Sequence, residues 1–284
     1  MPGIAVTAAS GRLGAAIVGA TVGLVGADRV VGLARTPAKA ASLGVEVRPG
    51  DYDEPGELAD SLRGVETLCL VSGMAPPEER VGQHRRVIDA ARAAGVGKIV
   101  YTSIQGAERG TGFSPVVCSN RQTEADVRGS GLAWSIGRNG IYIEPDVEYI
   151  NEYKKRGEIT NPAGNARCGY TTRPEIATAY ARMLTDPDHD GRIYNLHGEP
   201  ITQARLAAYL NYAFGTTLTY RPVSVERYRT ERVAELGEFI GGVIAGIYEG
   251  IARGAVDNKS HFARAAGREH ESWPAYFEGL KHAS

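Results

Sequence analysis

A short glycine-containing turn near the start of the chain carries residue types that can hold a phosphate. It lies between a β-branched run and a helical pattern and reads Thr7-Ala8-Ala9-Ser10-Gly11-Arg12-Leu13-Gly14. Gly11 would let the backbone approach a pyrophosphate, and Gly14 would let the helix pack closely on the strand. The helix N-terminus would add free N–H groups and a positive dipole end. The turn therefore predicts dinucleotide binding, and an ordinary strand–helix turn is the alternative.

One position of this turn departs from the usual glycine pattern. Ala8 stands where the first glycine is expected. Alanine is the smallest replacement for glycine, so we expect the turn to form with slightly different geometry. Whether Ala8 weakens cofactor binding is left open by the sequence.

The end of the second predicted strand distinguishes NADH from NADPH. A strand that binds NAD at this place usually ends in an acidic residue, which bonds the ribose hydroxyls. Here Arg35 ends the run, and Lys39 follows four residues later. The planar fork of Arg35 can grip a 2′-phosphate, and Lys39 can add a point charge. The pair predicts NADPH as the cofactor, with a solvated surface pair as the alternative.

A polar pair follows the third predicted strand. Asp51 and Tyr52 are placed to contact the adenine of a dinucleotide. Asp51 could equally cap the helix that begins near Pro55, because aspartate is a favoured N-cap residue. We keep both interpretations.

A catalytic tyrosine of the usual short-chain dehydrogenase type is missing. Such enzymes place a lysine four residues after the tyrosine, which lowers the tyrosine pKa for proton transfer to a carbonyl. No tyrosine here has a lysine at that spacing, and Tyr149 is followed at that position by Tyr153. Ser103 stands at the serine position that such enzymes have after the fifth strand, but the tyrosine that would act with it is missing. The sequence therefore favours hydride transfer to acceptors that need little help with protonation, such as quinones, azo dyes or triphenylmethane cations.

Other function classes find little support. The six histidines show no pair at metal-ligand spacing, so we expect no metal. A formal net charge of −1 and a pI near 6.6 give no basic excess, so we expect no nucleic-acid partner. Three cysteines without a spacing motif favour a reducing compartment. With no signal-peptide pattern and no long apolar stretch, we expect a cytoplasmic protein without membrane association. A homodimer is compatible with the sequence, which leaves the oligomeric state open.

The pattern of the first 140 residues predicts the scaffold for these groups. Strand-like runs alternate with helical patterns, which indicates a Rossmann-type, doubly wound parallel sheet in the α/β class. The predicted strands are Ile4–Thr7, Arg29–Leu33, Val45–Arg48, Thr67–Val71, Lys98–Thr102 and Ala133–Gly137. The predicted helices are Arg12–Val22, Pro37–Ser42, Pro55–Leu62, Glu79–Ala94 and Asn120–Arg128. Glycines at 44, 64 and 95 are expected to end helices.

The rhythm changes after Arg138. Segment 141–172 is expected to be irregular, followed by a helix at Pro174–Thr185 and strands at Arg192–Leu196 and near Leu218–Arg221. This half is not expected to continue the simple alternation. We predict residues 1–140 as the NAD(P)-binding domain. Residues 141–284 are predicted as a smaller, mostly helical, substrate-binding lobe, interleaved with the sheet and packed over its carboxyl edge.

Several short motifs, taken in order, resemble the NmrA-like branch of the atypical short-chain dehydrogenases nearly end to end. Besides the Thr7–Gly14 turn they are Ala34-Arg35-Thr36-Pro37-Ala38-Lys39, Gly50-Asp51-Tyr52, Gln83-His84-Arg85-Arg86-Val87-Ile88, Ala94-Gly95-Val96, Tyr101-Thr102-Ser103, Arg138-Asn139-Gly140 and Thr172-Arg173-Pro174-Glu175-Ile176-Ala177. The resemblance implies an NAD(P)H-dependent oxidoreductase. It is much less specific for the substrate.

The resemblance also implies particular cofactor contacts. They lie in the turn at Ala8, Ser10, Gly11, Arg12 and Leu13, at Arg35, after strand four at Ser72, Gly73 and Met74, and after strand six at Asn139, Gly140, Ile141 and Tyr142. Arg173 matches an arginine that the family keeps near the cofactor. A structural salt bridge with Glu175 or a loop carboxylate is the alternative for Arg173.

The catalytic group stays unknown, with Tyr142 and Asn120 as candidates. Some reductases of the wider family carry a lysine or histidine where Asn120 aligns, and an asparagine cannot titrate. Aromatic stacking on a flat acceptor is the functional interpretation of Tyr142, Tyr149, Tyr153 and Tyr170. We favour lobe packing for at least half of these four. His84 is expected to serve in packing.

Three functions remain in competition. The leading one is an NADPH-dependent reductase of a quinone-like or other conjugated aromatic molecule, with geometry and exclusion of water supplying most of the rate. The second is a dinucleotide-binding redox sensor without turnover, since some NmrA-like proteins regulate a partner. The third is a biosynthetic reductase of one polycyclic or phenylpropanoid compound.

Overall fold

The apolar runs of the first half form strands because β-branched side chains pack well in a sheet that is covered on both faces. The computed structural model describes residues 3–283. Its first strands are β1 (Ile4–Val6), β2 (Val30–Ala34), β3 (Glu46–Pro49), β4 (Thr67–Leu70), β5 (Lys98–Ile104) and β6 (Ala133–Asn139). The helices between them are α1 (Arg12–Val25), α2 (Pro55–Ser61), α3 (Pro77–Ala93) and α4 (Ser114–Arg128).

The second half holds shorter strands and most of the helices. Its strands are β7 (Ile141–Tyr142), β8 (Glu158–Asn161), β9 (Tyr170–Thr171), β10 (Arg192–Leu196) and β11 (Thr219–Pro222). Its helices are α5 (Glu144–Glu148), α6 (Ile150–Arg156), α7 (Arg173–Thr185), α8 (Gln203–Phe214), α9 (Val225–Leu236), α10 (Glu238–Ala252), α11 (Phe262–Ala266) and α12 (Trp273–Ala283). Short 3₁₀ helices lie at Ala27–Arg29, Pro37–Leu43 and Pro187–His189.

Seven strands form one parallel sheet in the order β10-β6-β5-β4-β1-β2-β3. Ile4 of β1 pairs with Val30 on one side and with Thr67 on the other. The order therefore reverses between β1 and β4, and the crevice at such a switch point is where open α/β sheets bind ligands. The turns that follow β1 and β4 meet there. The predicted Rossmann-type sheet with a helical lobe is confirmed.

Two apolar layers cover the sheet. On one face Ile17 of α1 and Ile176 of α7 are buried in the same cluster as strand residues. On the other face Leu58 of α2, Val87 of α3 and Val127 of α4 bury against the sheet. Both faces of every central strand are thus removed from water, which explains their uninterrupted apolar sequence.

Left-handed glycines end the predicted helices and turns. Gly44, Gly64 and Gly95 have φ angles of 69°, 78° and 77°. A side chain would be strained in this region, so glycine is favoured at each of the three positions. The expectation for these glycines is confirmed.

The lobe has its own core, to which α8, α10 and α12 contribute with β8 and β9. Two small parallel sheets lie in it, β11 with β8 and β7 with β9. Segment 141–172, expected to be irregular, instead contains β7, α5, α6, β8 and β9. These elements are too short to show a periodic pattern, which is why the sequence did not reveal them.

Two further expectations need correction. The alternation does continue after residue 140, because α7 leads into β10, which pairs in parallel with β6. The helix after β5 begins at Ser114, earlier than the predicted Asn120. Pro115 sits in its first turn, where a missing N–H costs nothing. The division at residue 140 stays a prediction. Within residues 3–283, no helix is both long and apolar enough to cross a membrane.

Candidate active site

The turn after β1 forms around Ala8 in a left-handed conformation. Ala8 has a φ of 49°, the only positive value at a non-glycine position among the described residues. Its carbonyl oxygen accepts a hydrogen bond of 2.9 Å from the Gly11 N–H. The left-handed region costs an alanine about 1–2 kcal/mol, a strain that a glycine would avoid.

The Ala8 carbonyl also explains why residue 14 is a glycine. A Cβ atom added at Gly14 would lie 2.2 Å from the Ala8 oxygen, whereas one at Gly11 would lie 3.2 Å from it. Helix α1 therefore approaches the turn too closely for any side chain at residue 14. This close approach directs the N-terminal N–H groups of α1 into the crevice at the switch point.

A cleft of 620 Å³ opens above the carboxyl ends of β1, β2 and β4. It brings together these predicted cofactor residues: Ala8, Ser10, Gly11, Arg35, Lys39, Asp51, Gly73 and Met74. Arg35 and Lys39 are exposed, and neither is ion-paired with a carboxylate of the described chain. Both cations are thus free to meet an anionic group of a ligand.

The polar pair after β3 has separate roles. Asp51 Oδ1 accepts a hydrogen bond of 3.1 Å from the Asp53 N–H, while Glu54 is the N-cap of α2. The interpretation of Asp51 as a helix cap is therefore wrong, since it closes a turn that borders the cleft. The Tyr52 hydroxyl is buried, lies 2.5 Å from Thr7 Oγ1 and donates to the Val71 carbonyl at 2.7 Å. Its ring edges the cleft while its hydroxyl ties β1 to β4.

His84 holds the loop that follows β4. Its Nε2 accepts a hydrogen bond of 3.1 Å from the Gly73 N–H, and its Nδ1 lies 2.9 Å from Thr123 Oγ1. Burial lowers the pKa of His84 to about 3, so the ring is neutral. His84 thus does more than pack, because it fixes the backbone of a loop that lines the cleft.

Arg12 and Arg173 are joined by a carboxylate of the lobe. Arg12 Nη1 lies 2.5 Å from Glu148 Oε1, and Arg173 Nη1 lies 3.9 Å from the same oxygen. Arg173 also lies 3.8 Å from Glu144 and packs over the Tyr142 ring at 5.3 Å. Arg173 thus has carboxylate neighbours within segment 141–172, and its role at the cofactor stays a prediction. The Glu175 partner is wrong, because Glu175 pairs with Arg268.

The end of β6 aims one tyrosine into a second cavity. Asn139 Nδ2 donates to the Tyr142 hydroxyl oxygen at 3.0 Å. Gly140, next to it, has no room for a side chain, since a Cβ would lie 2.4 Å from the Gly169 oxygen. Burial raises the pKa of Tyr142 to about 12, so its hydroxyl keeps its proton. Tyr142 is therefore a neutral hydrogen-bond donor.

The second cavity has a volume of 370 Å³ and mostly apolar walls. Gly140 and Tyr142 form one wall, Tyr149 and Tyr153 follow from the adjoining segment, and α9 and α10 close the other side. Tyr170 alone of the four tyrosines lies outside the lining, in the lobe core. Tyr153 and Tyr170 are both buried members of the lobe core, which agrees with packing for at least half of the four. Tyr142, Tyr149 and Tyr153 also line the cavity.

Two residues considered at the catalytic position lie behind the site. Asn120 is buried, and its Oδ1 accepts 2.7 Å and 3.3 Å hydrogen bonds from Tyr101 and Ser72. Its Nδ2 donates to the Val116 carbonyl. Ser103 donates to Glu124 at 2.6 Å. Asn120 lines neither of the two cavities, and its amide is engaged in supporting β4 and β5.

The sequence missed the residues contributed by the end of the chain. From α9 and α10 the cavity gains Tyr228, Arg232, Ile244, Ile247 and Tyr248, and from α5 it gains Asp146. Near the cofactor cleft it missed Glu79 and Gln83 of α3. The apolar sequence of α10 is typical of a packed helix, but it does not predict which cavity this helix lines. Among the described residues no cluster of possible metal ligands occurs.

Comparison with known proteins identifies the family of this chain. A family model described as NAD(P)H-binding matches residues 8–187. An Aspergillus flavus oxidoreductase named for an NmrA-like family domain is 32% identical over 192 residues, which is 66% of this chain and 62% of its own. The chain belongs to the NAD(P)H-binding, NmrA-like family. Members of this family with oxidoreductase names identify it as an NAD(P)H-dependent oxidoreductase.

Individual relatives are similar over most of the chain. Quinone oxidoreductase 2 of Escherichia coli is 35% identical over 227 residues, 78% of each chain. The crystal structure of an NADPH-dependent quinone oxidoreductase of Escherichia coli with NADPH matches with a TM-score of 0.90 and 30% identity, covering 99% of each chain. Triphenylmethane reductase of Citrobacter with NADP(H) matches with a TM-score of 0.89 and 31% identity, covering 99% of this chain and 100% of that one.

Proposed function

We propose that the protein is an NADPH-dependent reductase that delivers hydride to a quinone-like or other conjugated aromatic acceptor. One observation carries the proposal. The segment Asn139–Tyr142 leads from the carboxyl end of β6 to the wall of a tyrosine-lined apolar cavity, and the carboxyl ends of β1, β2 and β4 on the same sheet edge border the cofactor cleft. An apolar cavity with few polar groups suits a flat organic acceptor, and a redox sensor would have no need of one.

The cofactor assignment rests on the fit of the cleft. Gly11 and Ser10 would meet the pyrophosphate at the α1 N-terminus, with Arg12 and Leu13 beside them. Arg35 and Lys39 would hold the 2′-phosphate, because both are exposed cations without a carboxylate partner in the described chain. Asp51, Gly73 and Met74 would border the adenosine half.

The nicotinamide half would lie near the end of β6. Asn139 and Gly140 would frame it, Ser72 would support the neighbouring loop from behind, and Arg173 would reach it beside Tyr142. When bound, NADPH supplies the hydride. In this arrangement residues 1–140 supply most of the cofactor contacts, with Arg173 added from the lobe, and the lobe formed from residues 141–284 supplies most of the wall of the acceptor cavity.

Tyr142 would orient the acceptor. Its hydroxyl oxygen accepts the Asn139 amide proton, so its own proton is available to a carbonyl or azo nitrogen in the cavity. A fixed neutral donor stabilises negative charge that develops on such an atom without giving up its proton. The absence of a Tyr-x-x-x-Lys pair is consistent with acceptors of this kind.

Binding and turnover test the proposal separately. Purified protein is titrated with NADPH, NADH and NADP⁺, and oxidation of the preferred reduced cofactor is then followed with naphthoquinones, azo dyes and a triphenylmethane dye. We expect tighter binding of NADPH than of NADH, and turnover with at least one acceptor class. Tight NADPH binding without turnover on any acceptor would overturn the reductase and favour a sensor.

A further inference from the structure

A carboxyl group without a cationic partner lies in the wall of the acceptor cavity. Asp146 of α5 is 5% exposed and lines this cavity together with Tyr142. The Tyr153 hydroxyl donates to Asp146 Oδ1 at 2.7 Å, and the Tyr248 hydroxyl lies 3.1 Å from Oδ1 and 3.4 Å from Oδ2. Buried carboxylates are normally paired with a cation, so this environment is unusual.

The groups that face Asp146 are all neutral acids. They come from every element packed against it: Tyr153 of α6, Cys168 beside β9, Tyr170 of β9, Tyr228 of α9 and Tyr248 of α10. On its own helix, Glu144 and Glu148 are the charged neighbours, and they pair with Arg173 and Arg12. Burial raises the pKa of Asp146, although the tyrosine hydrogen bonds oppose that effect. The protonated acid is thereby favoured.

We propose that Asp146 is the proton donor for the acceptor in the cavity, a role that rests on the proposed reductase function. Tyr153 and Tyr248 make their shorter contacts to Oδ1, and Tyr170 is a third phenol donor to this carboxyl group. In the proposal the acid proton is carried by Oδ2, whose contact with Tyr248 is the longer one. Tyr142 orients the acceptor and keeps its proton, whereas Asp146 releases its own. Of the cavity-lining carboxyl groups, Glu235 is the alternative, but it is paired with Arg232 at 2.6 Å.

The proton balances the reduction of a quinone. Hydride brings two electrons and one proton to the neutral quinone, so the product of hydride transfer is a monoanion. The O–H bond of Asp146 breaks, a new O–H bond forms on the acceptor, and a neutral hydroquinone results. The carboxylate left behind is held by the hydroxyls of Tyr153 and Tyr248 until a proton from water restores the acid.

Acceptors therefore divide into two classes by proton demand. A quinone needs hydride and a proton, whereas a triphenylmethane cation is neutralised by hydride alone. Asp146 matters only for the first class. In the proposed resting state the acid is uncharged, so an asparagine at this position would leave the electrostatic environment of a cationic dye unchanged.

The test compares Asp146→Asn with the wild type on one naphthoquinone and one triphenylmethane dye, with Glu235→Gln as the matched cavity carboxyl control. We expect kcat with the quinone to fall at least about 10²-fold, the low end of the contribution of general acid catalysis, and kcat with the dye to be unchanged. In the wild type, kcat with the quinone falls as pH rises through the pKa of Asp146. Glu235→Gln keeps this alkaline limb, and Asp146→Asn loses it.

Two measurements keep the proposal falsifiable if Asp146→Asn folds poorly. Tyr248→Phe removes a donor to the carboxylate, so the alkaline limb should move to higher pH. Infrared spectra at neutral pH should contain a protonated carboxylic acid band that Asp146→Asn lacks, which needs no turnover. Equal losses with quinone and dye, no loss with either, or no such band would overturn the role of Asp146. If no acceptor is reduced by the wild type, the reductase function itself fails, and the proton donor role with it.

Discussion

Asn139 Nδ2 donates a hydrogen bond of 3.0 Å to the hydroxyl oxygen of Tyr142. The other end of the amide is fixed as well, since Asn139 Oδ1 lies 2.7 Å from the Tyr180 hydroxyl. Asn139 is therefore held from both sides, and the proton of Tyr142 is left for a partner in the cavity. This arrangement gives a fixed donor without the lysine that typical short-chain dehydrogenases use.

The first prediction concerns this donor. Tyr142→Phe removes the hydroxyl and keeps the ring, so NADPH affinity should be unchanged. We expect kcat/KM with a quinone to fall about 10²-fold, the loss found when one donor to a developing charge is removed. Steady-state kinetics and an NADPH titration measure the two effects. An unchanged kcat/KM would show that Tyr142 does not contact the acceptor.

Arg35 should set the preference between the two reduced cofactors. Arg35→Ala removes a charge-assisted contact to the 2′-phosphate, worth about 1.5–3 kcal/mol, and should raise the Kd for NADPH roughly 10- to 100-fold. The Kd for NADH should hardly change. Arg63→Ala is the control, because Arg63 is an exposed arginine that follows α2 and does not line the cleft. Equal weakening of both cofactors would refute a 2′-phosphate contact.

Two glycines of α1 give a matched comparison. Gly14→Ala places a Cβ 2.2 Å from the Ala8 oxygen and should lower the free energy of unfolding by about 1–3 kcal/mol. It should also abolish NADPH binding, because the phosphate turn must shift. Gly19 has open space, and Gly19→Ala should stabilise the helix by up to about 1 kcal/mol. Urea unfolding and calorimetric titration report both, and tight NADPH binding by Gly14→Ala would contradict the turn assignment.

His84 should make stability depend on pH in a particular window. Burial lowers its pKa to about 3 in the folded protein, against an ordinary value of 6.5 for a solvated histidine side chain. The unfolded chain therefore binds a proton that the folded chain refuses, so this contribution is complete above pH 6.5 and is lost as pH falls toward 3.

Comparison with His84→Gln isolates this contribution, because the other histidines are common to both proteins. Between pH 7 and pH 5 the wild type should lose about 2 kcal/mol more of its unfolding free energy than the variant. Urea unfolding at the two pH values measures the difference. Equal losses would show that His84 titrates normally in the folded state.

The sheet could be predicted from sequence because apolar, strand-like runs alternate with helical patterns along the first 140 residues. The predicted strands Lys98–Thr102 and Arg192–Leu196 agree with β5 and β10 to within two residues. The glycine turn predicted where the cleft lies, since Ala8, Ser10 and Gly11 line it. The position of Arg35 and Lys39 at the cleft could be predicted because residues at the end of the second strand have a fixed place in this fold.

The acceptor cavity could not be predicted in the same way. Asp146 lies on a helix of five residues, and Tyr248 reaches it from a helix about a hundred residues later in the chain. No local pattern records such a contact, since it depends on how α9 and α10 pack over the sheet. Nothing in the local pattern indicated that Asn120 would be buried beneath the site while Tyr142 faces it.

Direct hydride transfer to a conjugated acceptor is the central claim, and deuterium at C4 of the nicotinamide tests it most directly. NADPH deuterated on one face or the other of C4 is oxidised with a naphthoquinone, and the initial rates are compared with unlabelled NADPH. The account predicts slower turnover with deuterium on one face only, with that deuterium lost from the cofactor. Tight binding of NADPH with no quinone-dependent loss of deuterium from either face would contradict it.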